Sequence, residues 1–379
     1  MKCKLSDICV FRKGKVDVSK LTLKTYISTE NMLPNKGGVT EASSLPTVQL
    51  TQEYKKGDIL VSNIRPYFKK IWQAKCDGGC SNDVLVFQGN SNIDGDFLYY
   101  ILANDDFFAY SMATSKGTKM PRGDKTSIMQ YEVPLIDLRV QKKIASVLKV
   151  LDEKIELNNE INNNLEQQAL AIFANEFLSI DTIPEGWKQA SLIDIADYLN
   201  GLAMQKYRPT ADEIGIPVLK IKELRQGCCD DNSELCSPSI KSDYIIHDGD
   251  VIFSWSGSLL VDLWCGGICG LNQHLFKVTS SKYDKWFYYA WTKHHLDRFV
   301  AVAADKATTM GHIKRDELAK AEVLIPNETD YNRIGALLQP IYKMIISNRI
   351  ENKKLAATRD TLLPKLMNGE IDMTEVDYE

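Results

Sequence analysis

The chain contains one sequence pattern twice. Residues 82–173 recur at 272–363 without a gap, so each position of the first copy matches the position 190 residues later. The matching positions include Met120 with Met310, Leu148 with Leu338, Ile155 with Ile345 and Asn158 with Asn348. Such a repeat predicts two copies of one structural unit related by a pseudo-twofold axis. Function is therefore sought in what the copies share and where they differ.

Two shorter matches lie upstream of the long one. They are Gly57-Asp58-Ile59 with Gly249-Asp250-Val251, and Leu5-x-Asp7-Ile8 with Leu192-x-Asp194-Ile195. The offsets here are 192 and 187 residues, as small loop insertions would produce.

Each copy is predicted to begin with a β-rich part. Turn residues followed by apolar runs indicate strands at 57–62 and 83–87, and again at 249–254 and 274–278. Short aromatic helices, predicted to pack in the core, follow at 96–102 and 285–291. A polar loop then leads to an apolar strand at Val133 in the first copy and at Val323 in the second.

Each copy is predicted to end in a long helix. Apolar residues recur at steps of three and four, which is typical of a helix with one packed face. The predicted stripes are 144, 147, 151, 155, 158, 161, 165 and 172, and 334, 337, 341, 345, 348, 355 and 362. Pro340 lies inside the second stripe and predicts a kink or a later start. The pseudo-twofold favours antiparallel pairing of the two helices.

Composition limits the class of protein. The chain has 379 residues, 44% of them hydrophobic and 25% charged, as in ordinary globular proteins. It shows no apolar run near the ~18 residues of a membrane span and no basic–apolar leader, so a cytoplasmic protein without membrane contact is expected. A net charge of −4 argues against a free-standing nucleic-acid binder, which would usually be basic. Any DNA-binding surface must be local or shared with partner subunits.

Nine cysteines are scattered along the chain, so a disulfide framework is not expected. Cys76-x3-Cys80 and Cys265-x3-Cys269 occupy matching places, but each lies in a Gly-rich turn without a second nearby pair. We expect reduced turn cysteines and no bound metal, with a zinc site as the alternative.

Several segments resemble the specificity subunits of type I restriction–modification systems. The similarity covers nearly the whole chain. Its motifs are Glu132-Val133-Pro134-Leu135, Gln141 to Leu148, Leu151 to Ile155, Gln167 to Phe173, Pro184-Glu185-Gly186-Trp187, Thr361 to Ile371 and both Gly-Asp turns. In the first copy no Pro-x-Gly-Trp equivalent precedes the domain.

The resemblance implies an α+β fold with two β-rich target-recognition domains separated by a long antiparallel two-helix coiled coil. The domains would be residues 1–133 and 184–323, with spacer helices at 134–183 and, together with a C-terminal tail, at 324–379. It also implies double-stranded DNA and two methyltransferase subunits as partners, joined by restriction/translocase subunits in the full nuclease. S-adenosylmethionine would bind to the methyltransferase subunits, and no cofactor to this chain.

Catalytic motifs are absent from the sequence. It contains no Asp/Asn-Pro-Pro-Tyr/Phe tetrad, no Gly-x4-Gly-Lys-Ser/Thr loop and no His-Glu-x-x-His. All five histidines lie in the second copy, which excludes a catalytic histidine common to both. We therefore expect a binding subunit that is not an enzyme.

DNA recognition needs side chains that reach base edges and cations that hold phosphates. The polar loops at matching places in the two copies supply such residues, and they differ between the copies. The candidates are Asn63, Arg65, Lys69, Lys70, Lys116, Thr118, Lys119, Arg122 and Lys125 in the first copy, and Trp255, Ser256, Lys306, Thr308, Thr309, His312, Lys314 and Arg315 in the second. Solvated loops without DNA contact remain the alternative for each.

Two different readers on a twofold frame predict a bipartite, non-palindromic DNA target with an unspecified gap. The rival hypothesis is a coiled-coil scaffold whose two globular ends bind peptides, which the acidic net charge favours slightly.

Overall fold

The computed structural model describes residues 2–230, 232–305, 313 and 315–374. The chain divides into two compact units. Unit 1 comprises Met1–Glu153 and Leu355–Glu379, and unit 2 comprises Lys154–Lys354. Each unit holds a β-rich part and segments of both long helices, so the fold class is α+β, as predicted.

The described part of unit 1 consists of short strands and helices followed by the first long helix. The strands are β1 (Lys2–Lys4), β2 (Cys9–Phe11), β3 (Lys15–Asp17), β4 (Tyr26–Ile27), β5 (Leu50–Tyr54), β6 (Ile59–Ser62), β7 (Ile71–Gln73), β8 (Gly78–Cys80), β9 (Val84–Gly89) and β10 (Glu132–Pro134). The helices are α1 (Leu5–Ile8), α2 (Gly95–Ala103), α3 (Asp105–Ala113), α4 (Lys125–Ile128) and the long α5 (Leu138–Phe173).

The described part of unit 2 repeats this order. Its strands are β11 (Lys188–Ser191), β12 (Asp197–Asn200), β13 (Ile216–Leu219), β14 (Leu235–Cys236), β15 (Ile245–Ile246), β16 (Val251–Ser254), β17 (Leu260–Leu263), β18 (Cys269–Leu271), β19 (Leu275–Thr279) and β20 (Glu322–Ile325). Its helices are α6 (Leu192–Ile195), α7 (Ile221–Gln226), α8 (Lys285–His294), α9 (Leu296–Asp305), α10 (Arg315–Ala319) and the long α11 (Glu328–Met367).

One antiparallel sheet has the same plan in both units. The strand order is β2-β9-β6-β7 in unit 1 and β12-β19-β16-β17 in unit 2. Every residue of β6 and of β16 is buried, because both faces of these strands are covered. The strands predicted from the apolar runs are thus confirmed, and so are the core aromatic helices, now α2 and α8.

A second sheet shares three strands between the units and differs in the fourth. In unit 1, β8 lies between the parallel β4 and the antiparallel β5; in unit 2, β18 lies between the parallel β13 and the antiparallel β15. The fourth strand, however, joins opposite edges: β3 pairs with β5, whereas β14 pairs with β13. The repeat therefore diverges at the edges of this sheet.

A two-stranded ribbon closes each β-rich part. β1 pairs with β10 in unit 1, and β11 pairs with β20 in unit 2, both antiparallel. The domain edges predicted at residues 133 and 323 fall inside β10 and β20. An experiment that exchanges a whole domain must therefore carry both strands of a ribbon.

The repeated Gly-Asp turns have a structural explanation. Gly57 and Gly249 have φ angles of +91° and +87°, a region that a side chain disfavours. The Asp58 carboxylate accepts the Lys55 N–H at 2.7 Å and forms an ion pair with Arg12. Asp250 likewise accepts the His247 N–H at 3.0 Å. In each copy the glycine permits the turn and the aspartate closes it.

The repeated Leu-x-Asp-Ile motifs form the short helices α1 and α6. Asp7 accepts the Lys4 N–H at 2.8 Å, and Asp194 accepts the Ser191 N–H at 2.8 Å, so each carboxylate caps its helix from the third position. The leucine that opens each motif is fully buried.

The long helices pair antiparallel within each unit. In unit 1, Arg359 of α11 lies 2.5 Å from Asp152 of α5. In unit 2, Arg333 of α11 lies 2.8 Å from Glu176, just beyond the end of α5. Contacting residues have increasing numbers along α5 and decreasing numbers along α11. This confirms the predicted antiparallel pairing. The helices span 36 and 40 residues.

The buried seam differs from the predicted stripe at two positions. Ile161 and Leu337 are exposed, whereas Asn162 and Leu338 are buried. The stripe prediction was wrong here because an α-helix has 3.6 residues per turn, so a strict alternation of three and four drifts off the packed face.

Asparagines pair across the seam in unit 2. Asn348 Nδ2 donates to Asn162 Oδ1 at 2.9 Å, and Asn158 Nδ2 donates to Asn352 Oδ1 at 2.8 Å. Adding 190 to Asn158 and Asn162 gives Asn348 and Asn352, so the two bonds are equivalent under the repeat. The pseudo-twofold is therefore present in specific side-chain contacts.

Pro340, which lies inside the second stripe, and Pro364, just beyond it, both fall within α11. The helix begins at Glu328, twelve residues before Pro340, so the predicted later start was wrong. It also passes Pro364 and ends at Met367, where Asn368-Gly369 follows.

The nine cysteines are free thiols; Cys76 is exposed, and Cys80, Cys265 and Cys269 are buried. Among the described residues, no group of three or more His, Cys, Asp or Glu side chains is placed to hold a metal ion. No helix in the described part of the chain is long and apolar enough to cross a membrane.

Candidate nucleic-acid interface

In unit 1 the structure brings together the two polar loops that the sequence proposes. The first follows β6 and the second precedes α4. The Arg65 N–H donates to Pro121 O at 2.8 Å, and the Gly123 N–H donates to Asn63 O at 3.1 Å. Ile64 and Arg122 also form an antiparallel bridge. Residues 60 positions apart in the sequence thus form one continuous surface.

The same junction recurs in unit 2 with different residues. The Ile313 N–H donates to Trp255 O at 3.0 Å. Gly123 and Ile313 are 190 residues apart, and Asn63 and Trp255 share the 192-residue offset of the Gly-Asp turns, so the two bonds are equivalent. Of the other candidates in this loop, five lie outside the described residues: Lys306, Thr308, Thr309, His312 and Lys314.

Several candidate cations of unit 1 are bound to neighbouring groups. Lys116 Nζ lies 2.5 Å from Asp124, Arg122 lies 3.1 Å from Asp83, and Lys69 Nζ lies 2.8 Å from Asp105. The hydrogen bond from Lys116 is the main reason that the pKa of Asp124 falls to about 2. Exposed ion pairs of this kind are weak, so they do not hold these cations firmly in place.

Lys70 is half-buried and bound to a backbone carbonyl group. Its Nζ donates to Thr29 O at 2.6 Å, and burial lowers the pKa of its ammonium group. Thr118 and Lys119 are exposed in the second loop. Lys125 lies above the Phe11 ring, with its Nζ 6.0 Å from the ring centroid.

Two buried polar atoms in the joined loops have no hydrogen-bond partner. They are Asn63 Oδ1 and Arg65 Nε. An unsatisfied buried polar atom is costly and requires an explanation. Both belong to side-chain types that bind base edges, since asparagine pairs with adenine and arginine with guanine.

Two candidates of unit 2, Trp255 and Arg315, line an open apolar pocket of about 650 Å³. Trp255 packs on Phe276, with ring centroids 5.5 Å apart, and its Nε1 donates to Asn200 Oδ1 at 3.0 Å. Arg315 donates from Nη2 to Tyr198 O at 3.3 Å. The buried Ser256 hydroxyl lies 3.2 Å from His274 Nδ1 and so orients the loop in this structure.

Sequence reasoning missed the strand residues beneath these loops. Phe11 on β2 lies beneath Lys125, and Asn200 on β12 and Phe276 on β19 line the pocket beside Arg315. One feature of the sequence did indicate this site, because Lys125 and Arg315 occupy matching positions 190 residues apart. The strand residues gave no local signal, since they approach the loops only after the sheet has formed.

These features define a two-unit α+β protein with one polar loop junction in each unit. The chain matches the family model of the type I restriction modification DNA specificity domain over residues 1–167 and again over residues 184–357. It therefore belongs to this family and functions as a specificity subunit of a type I restriction–modification system.

Individual relatives agree with this assignment. The chain is 27% identical to the type I restriction enzyme MjaIX specificity subunit of Methanocaldococcus jannaschii, over 78% of this chain and 74% of that protein. It is 22% identical to the HindI specificity subunit of Haemophilus influenzae, over 97% and 98% of the two chains. The fold is similar to that of a crystallised S subunit from M. genitalium, with a TM-score of 0.58 and 15% identity over 99% and 96% of the chains.

Proposed function

We propose that each unit binds one half of a bipartite, non-palindromic DNA target through its joined loops. The observation that carries this proposal is the recurrence of one backbone junction with different side chains. Asn63 occupies the junction in unit 1 and Trp255 occupies it in unit 2. A shared frame with different side chains at the same place suits two readers of different sequences.

The two surfaces favour different modes of recognition. In unit 1, Asn63 and Arg65 offer an amide and a guanidinium to base edges, while Lys116, Lys119 and Arg122 supply phosphate contacts. In unit 2, Trp255 and Phe276 form an aromatic wall beside Arg315. Such a wall suits apolar contact with a thymine methyl group more than a bidentate hydrogen bond.

The chemistry of modification is assigned to partner subunits. The chain lacks the sequence motifs of a methyltransferase or an NTPase, and we propose that it is not catalytic. Two methyltransferase subunits would carry S-adenosylmethionine, and restriction/translocase subunits would join them for cleavage. Partner subunits would also supply basic surface, which suits the net charge of −4.

An exchange of one unit's DNA-binding part tests the two-reader proposal. Residues 184–326 would be replaced by the matching segment of another family member, so that β11 and β20 stay together. We expect methylation mapping in cells that hold the partner subunits to show one changed half-site and one unchanged half-site. The reason is that the two loop junctions contact DNA independently.

Trp255→Ala is a single-residue test of the same half-site. It removes the tryptophan of the proposed aromatic wall and leaves the unit 1 junction intact. It should weaken discrimination in the half-site that changes in the exchange, by on the order of 10-fold. A change in both half-sites would contradict independent reading. Equal binding to random and target DNA would instead favour the peptide-binding scaffold.

A further inference from the structure

The loop between β6 and β7 carries two exposed aromatic rings to which the proposed function assigns no role. We define the aromatic turn as the helical turn Pro66–Phe68. Tyr67 is 48% exposed and Phe68 is 37% exposed, and their ring centroids lie 4.7 Å apart. Two adjacent, partly exposed rings form an apolar patch, and such patches often mark interaction sites.

The aromatic turn is enclosed by strained backbone. Arg65 and Lys69, on either side of it, have φ angles of +51° and +50°. Asn35 and Lys36 have φ angles of +54° and +61°, and these four are the only non-glycine residues with positive φ among those that the structure describes. Left-handed backbone costs free energy for each such residue. The clustering of these four residues around the aromatic turn indicates that the loop conformation is maintained for a function.

The two strained segments support each other directly. The Asn35 N–H donates to Phe68 O at 2.8 Å, and the Lys36 N–H donates to Lys69 O at 2.9 Å. Pro66, at the start of the aromatic turn, is buried. The rings therefore project from two loops whose backbones are hydrogen-bonded to each other.

Ion pairs tie these two loops to the helices of unit 1. The Lys36 side chain is only 7% exposed, and its Nζ lies 3.0 Å from Asp105 of α3 and 3.4 Å from Asp360 of α11. Lys69 reaches the same Asp105 at 2.8 Å. The aromatic turn is thus anchored to two helices and presented rigidly.

We propose that Tyr67 and Phe68 form a wedge that stacks into a base step of the DNA half-site bound by unit 1. The proposal rests on the two-reader function, since it adds a residue pair to the same surface. Apolar side chains that enter a base step unstack it and make binding depend on how easily that step deforms.

The surroundings of the aromatic turn suit a nucleic acid. Arg65 precedes it and connects through its N–H to Pro121 of the second DNA loop. Lys70 follows it, with its Nζ 5.8 Å from the Phe68 ring centroid. Arg65 and Lys70 place positive charge beside the exposed rings, which suits contact with a nucleic acid.

The described connection between β16 and β17 in unit 2 holds no equivalent of the wedge. Residues 63–70 connect β6 to β7, whereas only residues 255–259 connect β16 to β17. The shorter connection contains Trp255, which packs on Phe276, and no second aromatic residue. Unstacking should therefore be confined to one half-site, and the other half-site serves as an internal control.

The test uses the chain assembled with its methyltransferase subunits and target duplexes that carry 2-aminopurine at successive positions of both half-sites. This base brightens when it loses stacking. The base that is methylated in each half-site and its two neighbours are left out of the scan, because methyltransferases flip their target base. At the remaining positions, wild type should brighten one position in the unit 1 half-site and none in the other. The double variant Tyr67→Ala/Phe68→Ala should lose that signal and bind the target on the order of 10- to 100-fold more weakly. The variant Tyr67→Phe/Phe68→Tyr keeps both rings and should retain the signal.

Val48→Ala, at an exposed apolar site elsewhere in unit 1, is the control for general surface effects. Loss of assembly with the methyltransferase in the double alanine variant would show that the rings contact protein, and would overturn the proposal. An unchanged 2-aminopurine signal in that variant would also overturn it, while the two-reader function would stand. Wild-type binding without preference for the target would overturn both.

Discussion

Asp58 and Asp250 show how one carboxylate side chain can stabilise a backbone turn. Each accepts a backbone N–H from three residues earlier, and each pairs with a cation on a neighbouring strand or loop, Arg12 or Lys277. The strand after each turn leads to one of the proposed DNA-binding loops. The repeated motif is therefore a fixed base for side chains that vary between the copies.

The burial of His295 predicts that the stability of unit 2 depends on pH. Burial lowers its pKa, and the nearby His294 and Arg298 act in the same direction; its Nε2 lies 2.8 Å from Glu322 O. The unfolded chain thus binds protons more readily than the folded chain at and below the ordinary histidine pKa of about 6.5. We expect the stabilising contribution to be complete above that pH and to be lost as pH falls through the lowered value.

Thermal unfolding of wild type and His295→Gln between about pH 5 and about pH 8 measures this dependence. The variant should unfold at a lower temperature than wild type at neutral pH and should show a flatter pH profile. His247→Gln, at an exposed position, is the matched control and should keep the wild-type profile. A profile that His295→Gln leaves unchanged would rule out this histidine as the titrating group.

At the scale of elements, the long helices are joined by polar contacts inside an apolar seam. Asn162 and Asn348 are 5% and 8% exposed and bond to each other. Polar pairs at such positions fix register at some cost in stability. The Asn162–Asn348 pair also follows the sequence repeat, because Asn158 and Asn352 form the equivalent bond.

The seam gives a prediction for helix pairing. Asn162→Leu should lower the free energy of unfolding by about 1–3 kcal/mol, because it leaves the buried Asn348 amide without its partner. The double variant Asn162→Leu/Asn348→Leu should recover most or all of this loss, since both polar groups are then removed. Urea unfolding of wild type, both single variants and the double variant provides the coupling energy. Additive losses in the double variant would show that the two amides are not coupled.

The elements were mostly predictable from local patterns, and the exceptions have a common cause. The apolar runs located β6, β9, β16 and β19, and the helical stripe located α5 and α11. The stripe failed at Ile161 because a strict alternation of three and four residues drifts off the packed face of an α-helix, and the sequence does not state where the partner helix then makes contact. Asn162 is buried there because Asn348 satisfies its amide, and that contact depends on the pairing of the helices.

At the scale of the whole molecule, the repeat provides two equivalent sets of surfaces on one chain. Equivalent surfaces bind equivalent partners, so a chain that docks methyltransferase subunits should dock two of them. Native mass spectrometry of the copurified complex should give two methyltransferase subunits per chain at saturation. A complex that saturates with one would contradict the proposed stoichiometry and indicate that the copies have diverged in docking.

The sequence alone determined the repeat, the α+β class, the antiparallel pairing of the helices and the family, because each depends on periodicity or on motifs that are local in the chain. It also located the loops that carry candidate residues, since polar loops at matching offsets need no structure to be seen. Tertiary structure decided which residues meet. The junction between Asn63 and Gly123, the strained loops under Tyr67 and Phe68, and the pocket beside Trp255 join segments far apart in sequence. Such contacts exist only once sheet register and loop packing are set, because local patterns specify each segment's own structure and leave its distant neighbours open.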